Sequence, residues 1–152
     1  MSLKDWLDNG WLKSHHTNCQ EIMNLLTIVE RDLADAKVDG LSPDWQYGIA
    51  YNAALKLCTI VLYAQGYRPE NALAHYRTIM ALKEIPGQDW IRHCIYLNEC
   101  RMRRNSLEYD QAYTISVDDA HKLVDFATSF HLEVRTYLET NYSELISLRE
   151  PT

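Results

Sequence analysis

The chain has 152 residues, a formal net charge of −6 and an apolar share of 47% with Tyr and Trp counted. That length fits one ordinary domain with a sizeable core, and the acidic balance argues against nonspecific DNA coating while leaving room for a local basic patch. Only 5 Gly and 4 Pro are present, which leaves little material for turns or linkers and favours long helices over many short strands.

In chain order, residues 1–15 read as an N-terminal extension. Leu3, Trp6, Leu7, Trp11 and Leu12 suit a short helix broken near Asn9-Gly10. The extension should lie against the main body, because two exposed tryptophans would be unusual. The first long helix is expected over residues 16–37, with Ile22, Leu26, Val29 and Leu33 on its buried face. Gly40 suits a left-handed position after it.

Ser42 and Pro43 then read as the cap and first residue of a second helix. Trp45, Ile49, Ala53, Leu57, Ile60 and Ala64 follow at helical spacing, and between Ile49 and Ala64 the only charge is Lys56. A helix apolar around most of its circumference is buried on several sides, so this one should be central. Ala50, Ala53 and Ala54 permit a close helix neighbour, and Gly66 ends the element.

Residues 67–70 read as a turn, and a shorter third helix is expected over residues 70–83, with Ala72, Tyr76, Ile79 and Met80. Pro86-Gly87 breaks the chain. The fourth helix should start near Gln88, carry Ile91, Ile95, Leu97 and Met102, and end around residues 109–112. Ser116 and Asp119 resemble a capping box with Asp in place of Glu. The fifth helix should run to about Asn141 with Ala120, Val124, Ala127, Val134 and Leu138 buried, leaving residues 142–152 as a tail. No internal repeat is visible and nothing alternates like a strand. The expected architecture is an all-α, up-and-down bundle of about five helices, with residues 16–141 as its domain.

No stretch approaches the roughly 18 to 20 uninterrupted apolar residues of a membrane span. The N-terminal MSLKDWLDNG shows no basic region followed by an apolar run, so a cytoplasmic protein without membrane contact is the expectation. Cys19, Cys58, Cys94 and Cys100 are scattered without a C-x-x-C pair and read as small buried apolar residues rather than a disulfide or zinc site. Six histidines invite a metal reading. His15 and His16 are adjacent and point to different sides of a helix, and His75, His93, His121 and His131 are far apart in sequence. His131, on the apolar face of the fifth helix, reads as a hydrogen-bonded core residue. No metal or cofactor is expected, and the common nucleotide-loop and hydrolase signatures are absent.

The stretch RMRRNSLEYD, Arg101–Asp110, departs from a generic helical chain. At about 3.6 residues per turn, Arg104 and Glu108 share one face, while Asn105 and Tyr109 stack one turn apart beside it. Two further clusters pair a cation with a ring: His75-Tyr76-Arg77-Thr78 and Gly66-Tyr67-Arg68. Single-stranded RNA recognition uses that pairing for phosphate contact and base stacking.

The segment AYNAALKLCTIVLYAQGYRPENALAHYRTI, residues 50–79, resembles the core of HEPN domains. There, a small-residue-rich helix ends at Gly and a turn leads to a helix bearing a His. RNSLEYD, residues 104–110, is similar to the signature of that family: Arg-Asn, a spacer, then His. The resemblance implies a compact helical bundle of four to five helices over about residues 16–140 and a homodimer with two motif copies in one cleft. It also implies either a metal-independent ribonuclease of defence or toxin–antitoxin systems or a relative that binds RNA, nucleotides or proteins. An antitoxin or small nucleotidyltransferase is the partner it suggests. The aromatic excess also points to a dimer.

Tyr109 stands where the family has its His. A ribonuclease of this type needs a base for the 2′-OH and an acid for the leaving group. A His titrating near neutrality suits that work and a Tyr with a pKa near 10 does not. His75 or His93 would have to be brought close instead. The expected function is therefore an RNA-, nucleotide- or partner-binding module with little or no catalysis. The candidate cleft residues are Arg101, Arg104, Asn105, Tyr109, Asp110, His75 and Arg77. The Tyr109 hydroxyl is expected to hold Arg104 or Asn105. Two alternatives stand beside this reading. One is an active endoribonuclease toxin. The other is an interaction module whose arginines pair only with Glu99, Glu108 or Asp110.

Overall fold

The computed structural model describes residues 1–109 and 115–146, the side chains of residues 106–109 excepted. Among these the chain is an all-α helical bundle with one small two-stranded sheet. The elements run α1 (Leu3–Asp8), β1 (Leu12–Ser14), α2 (Cys19–Asp35), α3 (Pro43–Ala64), β2 (Tyr67–Pro69), α4 (Ala74–Met80), α5 (Ile91–Tyr109) and α6 (Val117–Asn141). Short 3₁₀ turns follow α4 at Ala81–Glu84 and α6 at Ser143–Leu145.

The helix starts follow local chemistry. Ser42 Oγ accepts a hydrogen bond from the Trp45 amide at 3.3 Å with Pro43 in the first turn, which satisfies an amide that the helix leaves orphaned. Asn18 does the same for Glu21 at 2.8 Å, so α2 begins at Cys19 rather than at His16. Ser116 Oγ accepts from the Asp119 amide at 3.0 Å. The Asp119 carboxylate is engaged by Arg103 at 2.9 Å.

Helix α3 is the centre. Eleven of its residues are buried, from Tyr47 to Ala64, and it packs chiefly on α6 and α2. Ala50, Ala53 and Ala54 are fully buried, which lets neighbouring backbones approach. Among the described residues, α3 alone is long and apolar enough to cross a membrane, and here it is the core helix. Ile22, Leu26, Val29 and Leu33 of α2 and Ala120, Val124, Ala127, Val134 and Leu138 of α6 are all buried against the core. Each large apolar side chain taken out of water contributes about 1.5–3 kcal/mol relative to exposure.

The structure corrects four details. Trp45 is 69% exposed, because the inward strip at that end of α3 is Tyr47, Ala50, Tyr51 and Ala54. In α5, Leu97 points inward with Cys94 and Cys100, whereas Ile91, Ile95 and Met102 are exposed. The third helix is only seven residues long, preceded by Leu73 in the left-handed region at φ 57°. Residues 67–70 are more than a turn: β2 pairs antiparallel with β1, Leu12 opposite Pro69 and Ser14 opposite Tyr67.

That strand pair ties the N-terminal segment to the end of α3. The Gly66 carbonyl accepts from His15 and the Trp11 carbonyl accepts from Glu70, at 2.8 and 3.0 Å. Trp6 is buried and Trp11 packs on the core. The pairing sets Trp11 beside α4.

Candidate binding site

The N-terminal segment, α4 and the turn after it enclose a cavity of about 410 Å³. Trp6 and Trp11 form one wall in an edge-to-face pair, centroids 5.9 Å apart at 74°. Such pairs hold each other's orientation and contribute about 0.5–1.5 kcal/mol beyond burial. Met1, together with Tyr76, Arg77 and Met80 of α4 and Lys83 and Glu84 of the turn after it, completes the lining.

The Arg77 guanidinium lies over the Trp11 ring at 4.3 Å from its centroid. Its Nη1 is shielded from solvent and has no hydrogen-bond partner. A guanidinium carries donors in a fixed fork and no acceptor. A donor left unpaired in such a place costs about 1–3 kcal/mol, more for a charged group.

Tyr76 links this cavity to α5, since the Arg101 guanidinium lies 5.3 Å from its ring centroid. Arg101 Nε also donates to Asn98 Oδ1 at 3.0 Å. The other arginines of α5 turn elsewhere. Arg103 pairs with Asp119 and lies 5.9 Å from the Tyr47 ring. Arg104 packs on α3: a methyl group added to Gly48 would sit 3.5 Å from its Nε. The charges of Arg101 and Arg104 also reach Tyr51, whose buried hydroxyl has no hydrogen-bond partner. Burial drives that phenol far above its ordinary range, and the two arginines only partly offset it.

The seven residues named from sequence are therefore divided. Arg77 lines the cavity over Trp11, and Arg101 reaches the ring of Tyr76, which also lines it. Arg104 is seated on α3, and Asn105 is exposed. The Tyr109 side chain and all of Asp110 lie outside the described residues, as do any contacts of Glu108. His75 is exposed and borders a different groove, with Lys56 and Tyr63. His93 lies three turns from Arg104, roughly 16 Å along α5. It bonds Glu133 at 3.1 Å between the rings of Phe126 and Phe130. Neither histidine reaches the cavity. His131 stands 3.7 Å from Glu30, with no hydrogen bond to its buried Nε2.

All four cysteines are free. Among the described residues no three His, Cys, Asp or Glu side chains converge as a metal site would require. Sequence reasoning missed Trp6, Trp11, Met80, Lys83 and Glu84 as site residues. The signal that could have found them is two tryptophans in a short polar extension, since such rings need a surface to cover. No protein-family model, curated protein or solved structure matches the chain.

Proposed function

We propose that this chain is a HEPN-like binding module that holds single-stranded RNA or a free nucleotide at the Trp11–Tyr76–Arg77 cavity without cleaving it. The observation that carries the reading is the Arg77 guanidinium laid over Trp11 at a cavity walled by two indole rings and Tyr76. A base stacks on Trp11 or Tyr76, and a phosphate takes the donors of Arg77 and Lys83. Stacking on an aromatic residue is worth about 1–3 kcal/mol per base. No histidine is among the residues lining the cavity, and Glu84 is the one carboxylate there, so the lining lacks the pair of groups near neutrality that RNA cleavage needs.

The same reading includes a homodimer through α5. Ile91, Ile95 and Met102 are 49–57% exposed and share one helix face. Arg92 and Glu99 are exposed on one flank of that strip, seven residues apart, without ion-pair partners among the described residues. Two α5 helices crossing antiparallel about residues 95 and 96 would set each Arg92 against the Glu99 of the other copy. The face is thus complementary to itself.

Titration of tryptophan fluorescence with single-stranded hexauridylate and hexaadenylate tests the site. Saturable quenching that weakens with salt, with the RNA recovered intact, is the expected result. The reading fails if no quenching occurs at millimolar RNA. Cleavage that is abolished by Arg104→Ala would favour the endoribonuclease.

A further inference from the structure

We propose that the ligand of the Trp11–Tyr76–Arg77 cavity is a single RNA strand several nucleotides long, not a free nucleotide, and that its backbone runs on from the cavity across the outer face of the β1–β2 pair. The inference rests on the cavity reading above and names the extent of its ligand. The register sets Lys13 directly opposite Arg68. Residues so opposed in an antiparallel pair have Cα atoms roughly 4.5–5.5 Å apart and side chains on one face. Leu12, in the neighbouring pair with Pro69, is 1% exposed, so alternation puts Lys13 and Arg68 on the outer face. A slip of one residue would turn both cations toward the core.

Like charges directly opposite each other weaken a strand pair, so the pairing itself gives no reason for both cations. One carboxylate attends them. Glu70 Oε2 accepts from Lys13 Nζ at 3.2 Å, in a pair whose side chains are 52% and 36% exposed. Glu70 Oε1 accepts from the Asn71 amide at 2.9 Å. Exposed ion pairs contribute little, so a phosphate competes with Glu70 for the ammonium. Two cations to one carboxylate leave this face positive in a chain whose formal net charge is −6. Trp11 joins the face to the cavity. Its carbonyl accepts from the Glu70 amide at 3.0 Å, which carries the ladder one step past Leu12 and Pro69. Trp11 and Lys13 are two residues apart, about 7 Å along the strand, and the Arg77 guanidinium lies over the Trp11 ring at 4.3 Å. The order is therefore Arg77 on Trp11, then Lys13 and Arg68. Cations that lead away from a stacking ring hold a single strand, with a base on the ring and the backbone on the charges. A mononucleotide would leave Lys13 and Arg68 unused.

Fluorescence titration of the full chain with uridine 5′-monophosphate and with hexauridylate, each at several salt concentrations, tests this. Affinity should rise at least tenfold from the monophosphate to the hexamer, and the hexamer should show the steeper fall with salt. Lys13→Gln combined with Arg68→Gln removes two phosphate contacts. It should cut the hexamer's log–log salt slope by about 1.4, at about 0.7 per contact on a single strand. It should leave monophosphate binding and the circular dichroism spectrum unchanged. Lys13→Arg combined with Arg68→Lys should keep the parent's slope. Equal affinity for monophosphate and hexamer would overturn the strand path and leave the cavity reading standing. An unchanged hexamer slope in the double Gln variant would do the same. Loss of monophosphate binding in that variant would assign the two cations to the cavity itself and overturn the path as well. Absence of binding by either ligand would overturn both readings together.

Discussion

Replacing Arg77 with Met separates a binding role from a structural one, because the two readings predict opposite pairs of results. Met keeps an unbranched stem over Trp11 and removes the charge. In the free protein the change forfeits the cation–ring contact at 4.3 Å, about 0.5–1 kcal/mol at an exposed site and about 2 kcal/mol when desolvated. It also removes the shielded donor without a partner, a group that costs about 1–3 kcal/mol. These terms oppose each other, so the unfolding free energy should change by less than about 1 kcal/mol in either direction. With RNA bound, the lost hydrogen bond is to a charged group, worth about 1.5–3 kcal/mol. At about 1.4 kcal/mol per tenfold, affinity should fall about tenfold to a hundredfold. Urea denaturation followed by circular dichroism measures the first quantity and tryptophan quenching by hexauridylate the second. A stability loss above about 2 kcal/mol with RNA affinity unchanged would make Arg77 a strut and refute the reasoning.

Three further outcomes are expected. Gly48→Ala should stabilise the fold by about 0.5–1 kcal/mol in urea denaturation, since Gly48 lies within α3 and the added methyl meets Arg104 Nε at an ordinary 3.5 Å; destabilisation would mean that Arg104 needs the bare backbone. Burial and then Arg135 hold His131 below the ordinary histidine range, against the pull of Glu30. A depressed folded pKa means the unfolded chain takes up the proton first, so this contribution is intact above 6.5 and is lost as pH falls through the folded value. Denaturation at pH 7.5 and 5.5 should show a smaller acid loss in His131→Gln than in the parent, and equal losses would count against it. In light scattering, Arg92→Glu should weaken the dimer roughly 2- to 30-fold, two exposed pairs at about 0.2–1 kcal/mol each, and Glu99→Arg added to it should restore association; a parent chain that is monomeric at tens of micromolar would dismiss the α5 interface.

What was legible in the sequence was what depends on near neighbours along the chain. The cap at Ser42 with Pro43, the strip from Ile22 to Leu33 on α2 and the strip from Ala120 to Leu138 on α6 each follow from contacts within a turn or two. The burial of α3 was legible too, because a helix with one charge in sixteen residues has few polar faces to offer water. The Arg-rich stretch was visible as a departure from that pattern, although its sequence alone did not say where each guanidinium goes.

Only the tertiary structure decided which of two apolar strips on α5 faces inward. Ile91, Ile95 and Met102 lie on one side and Cys94, Leu97 and Cys100 on another, and both sets keep helical spacing. Periodicity is blind to that choice, which depends on the shape of the surfaces that α5 meets. The β1–β2 pair was equally invisible: its strands are three residues each and more than fifty residues apart, so no local alternation marks them. That pairing is what brings Trp11 over Arg77, and the cavity between the N-terminal segment and α4 exists only because of it. The fate of the arginines was decided in the same way. Arg101 is taken by the Tyr76 ring and Arg103 by Asp119, while Arg104 Nε lies beside Gly48 of α3. A long cation settles against whatever ring or carboxylate the fold places within its reach, and that neighbourhood is a property of three dimensions.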